Sequence, residues 1–247
     1  MGIYSRDYFR DDAGPQGGGW RGFDVIKWLI IVNIAVFVLQ VVWQGDVVYT
    51  FDHPEFGKIE QSVREPVINQ WFALDRSAIL GGQVWRLLTY EFLHDTTSPW
   101  HLFFNMLFLF FAGRKVEAYY GPREFLLFYL VAGVLSGLFT VGWYEALGNP
   151  WSAIGASGAV AAVFIVYALH WPYDTWRIMG IIPVQAMWLA IICAVMDVFP
   201  MLAEIGGGPG DGVAHSAHVG GMLFALVYQR RNLRMEPWLG WVRPGDW

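Results

Sequence analysis

Long apolar runs, separated by short polar stretches rich in glycine, proline and charge, dominate the chain from residue 25 onward. A helix needs about 20 apolar residues to cross about 30 Å of hydrocarbon. Six runs approach that length: Val25 to Trp43, Ser98 to Val116, Phe125 to Tyr144, a short one from Gly155 to His170, Ile178 to Phe199, and Val213 to Tyr228. The pattern predicts an all-α polytopic membrane protein with six transmembrane helices. Residues 1–24 form a short N-terminal segment, 25–230 the membrane domain and 231–247 a tail. The first loop, Gln44 to Thr97, is too long for a simple connection and too apolar for a solvated one. Its pieces Trp71-Phe72-Ala73-Leu74 and Trp85-Arg86-Leu87-Leu88-Thr89-Tyr90 read as short amphipathic pieces of a membrane-embedded loop lying in the interface, where Trp and Tyr are favoured.

Composition agrees. Of the 247 residues 55% are hydrophobic and only 15% charged, against about a quarter charged in a soluble chain. The net charge of -5 offers no basic face for nucleic acid. Cys193 is the single cysteine, so neither a disulfide framework nor a thiolate metal site is available. The histidines show no ligand spacing, and no metal or organic cofactor is expected. The first run follows Asp7, Asp11 and Asp12, exceeds a signal-peptide core and lacks a small-residue cleavage site, so it reads as a retained span.

Basic residues set the orientation. Arg114, Lys115 and Arg123 follow the second run and Arg177 the fourth, while the loops after the third and fifth runs carry no Lys or Arg. Arg6, Arg10 and Arg21 precede the first run, and Arg230, Arg231, Arg234 and Arg243 follow the last. The positive-inside rule then places both termini in the cytoplasm, which requires an even number of spans. A bacterial inner membrane is the compartment expected. Small residues at four-residue spacing (Gly133 with Gly137, Gly158 with Ala162, and Ala217 with Gly221 and Ala225) mark faces where helices approach closely.

Polar groups inside spans are costly and tend to mark function. His101 and Asn105 share one face of the second run, Gly155-Ala156-Ser157-Gly158 opens the fourth, and Ala217-His218-Val219-Gly220-Gly221 lies in the sixth. All three runs start at the outer face, so these groups lie at similar depth. A serine hydroxyl becomes a nucleophile when a base removes its proton, and histidine is the natural base near neutrality. Ser157 as nucleophile, His218 as base, and His101 with Asn105 as oxyanion donors form the expected constellation. No carboxylate occupies this level in the fourth or sixth run, so a dyad rather than a triad is expected. His215, one turn before His218, is a second candidate base.

From Trp85 to Tyr228 these residues resemble the rhomboid family of intramembrane serine proteases. The resemblance rests on Trp85-Arg86, His101 and Asn105, Glu117 with Gly121, Gly155-Ala156-Ser157-Gly158 and Ala217-His218-Val219-Gly220-Gly221, in that order on successive spans. It implies a rhomboid-like bundle with a Ser–His dyad in a wet cavity open to the non-cytoplasmic side. It implies an oxyanion hole from the Ser157 N–H, His101 and Asn105, with Gly155 in the substrate-binding wall. The implied substrates are transmembrane segments of membrane proteins that unwind near the outer face, with Gly206 to Gly212 as a lid. One departure stands out. The family often places Tyr or Phe four residues after the nucleophile, stacked on the catalytic histidine; here that position is Ala161, and Phe164 is the candidate substitute.

Each motif alone has a plainer reading. Gly-Ala-Ser-Gly is a common packing motif, a lone histidine near a span end is usually interfacial, and His101 with Asn105 could simply tie helices together. Trp85-Arg86 reads as an interface anchor with a snorkelling cation, and Glu117 as a structural contact on the cytoplasmic side. Two other functions compete with proteolysis. A catalytically silent relative that binds membrane clients would usually lack the Ser or the His, and both are present. A small transporter would need intramembrane charges along a path, whereas Asp197 and Lys27 are the obvious ones, both read as lying near span ends.

Overall fold

A computed structural model of the chain describes residues 24–53, 57–148, 151–206 and 211–239. The expected N-terminal segment, apart from Asp24, lies outside the described residues, as do residues 207–210 of the glycine-rich loop and the tail beyond 239. The protein is mostly helical. Among the described residues three helices are long and apolar enough to cross a membrane: Val25–Val42 (α1), Pro122–Leu147 (α7) and the stretch Ala186–Gly206, whose α-helical part is Ala186–Ala203 (α9). Membrane helices of this kind make it an integral membrane protein. Val38, Phe104, Ile192, Phe199 and Leu223 stand exposed on the exterior, an arrangement suited to hydrocarbon rather than water.

The second apolar run is one rod of three pieces: Pro99–Phe108 (α5), a π-helical turn Leu109–Gly113, and Arg114–Tyr120 (α6). Ser157–His170 (α8) and His215–Arg230 (α10) are shorter. From Gly158 to Ala168 nearly every residue of α8 is buried, so it forms the centre of the bundle, packed against α7 and α10. Two acids hold the start of α1. Asp24 accepts from the Lys27 N–H at 2.9 Å to cap α1, and Glu117 of α6 receives the next donors, Val25 N at 2.8 Å and Ile26 N at 3.2 Å. Glu117 is thus the structural contact anticipated.

The all-α expectation needs correcting in the loops. The first loop opens with an antiparallel hairpin, Gln44–His53 (β1) against Gly57–Pro66 (β2), paired from Gln44↔Pro66 to His53↔Gly57. It then continues through short helices Asn69–Phe72 (α2), Arg76–Leu80 (α3) and Arg86–Thr89 (α4). The strands form because polar and β-branched residues alternate there, as in Lys58-Ile59-Glu60. Leu74–Asp75 (β3) pairs with Ser152–Ala153 (β4), which fastens the first loop to the segment just ahead of Ser157. Thr175–Ile178 (β5) and Ile182–Gln185 (β6) form a second hairpin. Consequently the fifth helix begins at Ala186 rather than Ile178; Met179 and Gly180, with φ of 53° and 74°, make the tight turn that a helix could not contain.

Arg86 also differs from expectation. It does not snorkel: the guanidinium is buried and donates to the carbonyls of Ala73 and Gln70 and to Gln83 Oε1, holding the pieces of the first loop together. Gly133 and Gly137 likewise receive side chains rather than another helix backbone. A Cβ on Gly133 would sit within contact of the Glu91 carboxyl, and one on Gly137 lies 3.1 Å from the Tyr90 ring. The Gly158 and Gly221 faces do meet directly, and that contact sets the distance between the two helices bearing Ser157 and His218.

Candidate functional site

Ser157 is the first residue of α8. Its helix begins where it does because Gly155 adopts φ 129°, a region suited to glycine. A Cβ there would lie 2.8 Å from both Cε1 and Nε2 of His101 and 3.6 Å from Ser157 Oγ. Gly155 therefore lets the chain pass flat against the His101 ring and brings that ring beside the serine. The first-turn N–H groups of any helix lack intrahelical partners. Those of α8 therefore surround Ser157 with donors at the positive end of the helix dipole.

His218 lies one turn into α10. Its Nε2 is 2.7 Å from Ser157 Oγ, and its Nδ1 is 2.7 Å from Asp197 Oδ1. Gly158 and Gly221 permit this approach, for a Cβ on Gly221 would come within 2.0 Å of the Gly158 carbonyl oxygen. The α5 residues supply the opposite wall. His101 Nδ1 accepts from the Asp95 N–H at 3.3 Å, which in a neutral ring leaves the proton on Nε2, the nitrogen facing Gly155. Asn105 is buried, and its Nδ2 donates to the His101 carbonyl at 2.8 Å, leaving its second N–H for other use. His94, fully buried, lies against His101 with ring centroids 5.2 Å apart and the rings tilted at 56°. Burial, reinforced by the like charge His101 can carry, pushes the His94 imidazole down to about 3, so it is neutral.

A cavity of about 1010 Å³ joins these groups; its wall includes His101, Asn105, Gly155, Ser157, Asp197 and His218. Ser157, His218, His101, Asn105 and Gly155 therefore line one space, and His215 does not. Two expectations fail here. Phe164 does not cover His218: it packs on Phe108, Tyr167 and Trp176, and Ala161 leaves that side of the cavity open. Nor is the serine–histidine pair without a carboxylate. Asp197 comes from the interior of α9, outside the fourth and sixth runs on which the dyad expectation rests, and its side chain is only 14% exposed. His215 does not reach Ser157; it contacts Asp197 and, through its other nitrogen, Asp211.

Asp197, His215 and His218 also form a cluster, contrary to the reading that the histidines lack one, with ligand atoms within 4.8 Å of one another. Around a tetrahedral zinc with bonds near 2.0–2.1 Å, neighbouring ligand atoms stand roughly 3.3 Å apart. The carboxylate oxygen here lies 2.8 and 2.7 Å from the two imidazole nitrogens. Those separations fit protons between the atoms and not a metal ion.

Residues 81–234 match the Rhomboid domain. The chain belongs to the rhomboid family. It is 27% identical to RHOMBOID-like protein 12, mitochondrial, of Arabidopsis thaliana, over 89% of this chain and 63% of that one. It is 31% identical to RHOMBOID-like protein 4 of the same plant, over 94% of this chain and 59% of that one. With the Rhomboid protease AarA of Providencia stuartii it shares 25% identity over 81% of this chain and 69% of that one. The chain thus spans about three fifths of the length of the two plant relatives. The matched region contains every cavity residue named above, from His101 to His218.

Proposed function

We propose that this rhomboid is an intramembrane serine endopeptidase that hydrolyses peptide bonds in or near transmembrane segments of membrane protein substrates. The observation that carries the reading is the 2.7 Å contact between Ser157 Oγ and His218 Nε2 on the wall of the 1010 Å³ cavity. In this reading α1, the α5–α6 rod, α7, α8, α9 and α10 are six spans with both termini cytoplasmic, in a bacterial inner membrane. The 14 residues of α8 extend only about 21 Å at 1.5 Å per residue. That is less than the hydrocarbon thickness, so Ser157 sits below the outer surface and the cavity carries water down to it.

The chemistry follows from the geometry. His218 Nε2 takes the hydroxyl proton as Ser157 Oγ bonds to the substrate carbonyl carbon. The resulting oxyanion is met by the Ser157 N–H, His101 Nε2–H and the free N–H of Asn105. His218 returns the proton to the leaving amine as the C–N bond breaks, giving an ester on Ser157. Water then attacks that ester, again through His218, and releases the acid.

The test is cleavage of a single-pass model transmembrane peptide by the full chain in liposomes, with labelling of Ser157 by a fluorophosphonate read by mass spectrometry. Ser157→Ala and His218→Ala should each abolish cleavage while leaving thermal stability near wild type. Asn105→Ala should lower kcat by about 10²–10³ at most, since one donor among several is lost. Cleavage by Ser157→Ala at the wild-type rate would end the assignment.

A further inference from the structure

The Ser157–His218 pair has a third member. Asp197 Oδ1 lies 2.7 Å from His218 Nδ1, on the side of the ring away from Ser157, and 2.8 Å from His215 Nδ1. His215 Nε2 in turn is 3.1 Å from Asp211 Oδ2, in the segment leading into α10. An ionised carboxylate only accepts hydrogen bonds. Asp197 therefore fixes the His218 proton on Nδ1 and leaves the Nε2 lone pair for the serine hydroxyl. His215, with a carboxylate on each nitrogen, donates from both. The two imidazoles approach one oxygen, whose two lone pairs they fill, with ring planes at 84°.

We propose that Asp197 is the positioning residue for the base, making the catalytic group Ser157–His218–Asp197, and that His215, clamped between Asp197 and Asp211, holds that carboxylate in place. This rests on the reading of Ser157 and His218 as nucleophile and base. The structure also supplies the reason such a device is needed. Ala161 places no ring over His218, and Phe164 is committed to Phe108, Tyr167 and Trp176. Among the described residues His218's aromatic neighbour is His215, at 6.1 Å between centroids. The imidazole is held through its edge, by hydrogen bonds, and not through its face. When His218 takes the serine proton, its new positive charge forms 2.7 Å from a carboxylate that already accepts its Nδ1–H. The bond is strengthened where charge develops and needs no movement.

Among the described residues no other group near the ring takes this role. Cys193, one turn before Asp197 on α9, carries no charge as a thiol; His101, on the opposite wall, faces Gly155; and Asp211 is engaged with His215 and the Val213 N–H. Asp197 is also the part of the cluster that α9 contributes, so the fifth helix must be seated for the base to be correctly aimed.

The test uses the full chain and two readouts, kcat and KM on the model transmembrane peptide and the rate of fluorophosphonate labelling of Ser157. Asp197→Asn presents an amide N–H to His218 Nδ1 as readily as an oxygen, which favours the wrong tautomer. Both kcat and labelling should fall by about 10²–10⁴-fold with KM within about threefold of wild type. Asp197→Ala should lower them less than Asp197→Asn, because it leaves no amide N–H to favour the wrong tautomer. Asp197→Glu should recover part of the loss. His215→Ala should produce a smaller fall, since it loosens Asp197 without removing it. Asp197→Asn with kcat and labelling within threefold of wild type overturns the proposal. So does a loss that merely matches the fraction unfolded in a thermal melt, with no recovery in Asp197→Glu. If instead wild-type Ser157 is never labelled, the protease reading itself falls and this inference with it.

Discussion

The α8–α10 contact can be tested by one methyl group. A Cβ built on Gly221 lies 2.0 Å from the Gly158 carbonyl oxygen and 2.9 Å from Ser136 Oγ, where ordinary contact begins at 3.4 Å. The carbonyl belongs to the α8 backbone and cannot rotate away, so Gly221→Ala must separate the helices by about 1.4 Å if contact is to be restored. Gly158 adjoins Ser157, and Gly221 lies one turn beyond His218. The separation is therefore applied beside the 2.7 Å Ser157–His218 hydrogen bond. Even about 0.8 Å of it along that line takes the pair past the limit of a hydrogen bond. A displacement of about 1 Å at reacting groups costs about 10²-fold in rate, and overpacking of this kind destabilises by about 1–3 kcal/mol. Gly221→Ala should accordingly cleave the model peptide at least about 10²-fold more slowly per folded molecule, with a lowered Tm. The control is Gly142→Ala on α7, where a Cβ meets nothing within 4 Å and the helix should gain up to about 1 kcal/mol. Should Gly221→Ala melt earlier yet turn over normally, the contact would be structural and not what sets the serine–histidine distance. Unchanged Tm and rate together would refute the packing argument outright.

Two further outcomes follow from buried polar groups. Glu117→Ala removes the acceptor of Val25 N and Ile26 N at the start of α1. It should cost about 1–3 kcal/mol, seen as a lower Tm with unaltered kcat in the folded fraction; Glu117→Gln, which keeps an acceptor oxygen, should lose less. For His94, the imidazole titrates near 6.5 in the unfolded chain but at about 3 when folded. Between those values the unfolded chain binds the proton and the folded one does not, so stability falls as pH drops from about 6.5 to about 3, by at most about 1.4 kcal/mol per unit. Thermal melts across that range should show a shallower slope in His94→Gln, and identical slopes would contradict the burial of a neutral ring.

The parts of this protein that could be read from its sequence are those in which one helix carries its own signal. The apolar runs marked α1, α7 and α9, and four-residue spacing put His101 and Asn105 on one face. The glycines beside Ser157 and His218 announced a close contact, which the structure places between Gly158 and Gly221. In the first loop the aromatic pieces around Trp71 and Trp85 carry the short helices α2 and α4, but the alternation from Gln44 to Pro66 is a strand signal, and it pairs as a hairpin that the all-α expectation lacks. The third helix misled differently. Gly133 and Gly137 look like a helix-packing motif, yet they accommodate Glu91 and Tyr90 from the first loop, a partner that spacing alone cannot name.

Asp197 shows where local reading stops. In the sequence it is one acid near the end of an apolar run, 21 residues before His218. The runs that carry Ser157 and His218 hold no carboxylate of their own. But α9 runs in the opposite direction, so a residue past its midpoint returns to the depth of the N-terminal turns of α8 and α10. An acid in that part of α9 could have been matched to His218 by counting depth from both membrane faces. The physical hint was available too, since an unpaired carboxylate inside hydrocarbon is too costly to persist without donors. His215 and His218, the two imidazoles one turn apart on the next helix, were the donors at hand. The hydrogen bonds that lower the cost of burying Asp197 are the same ones that aim the base at Ser157.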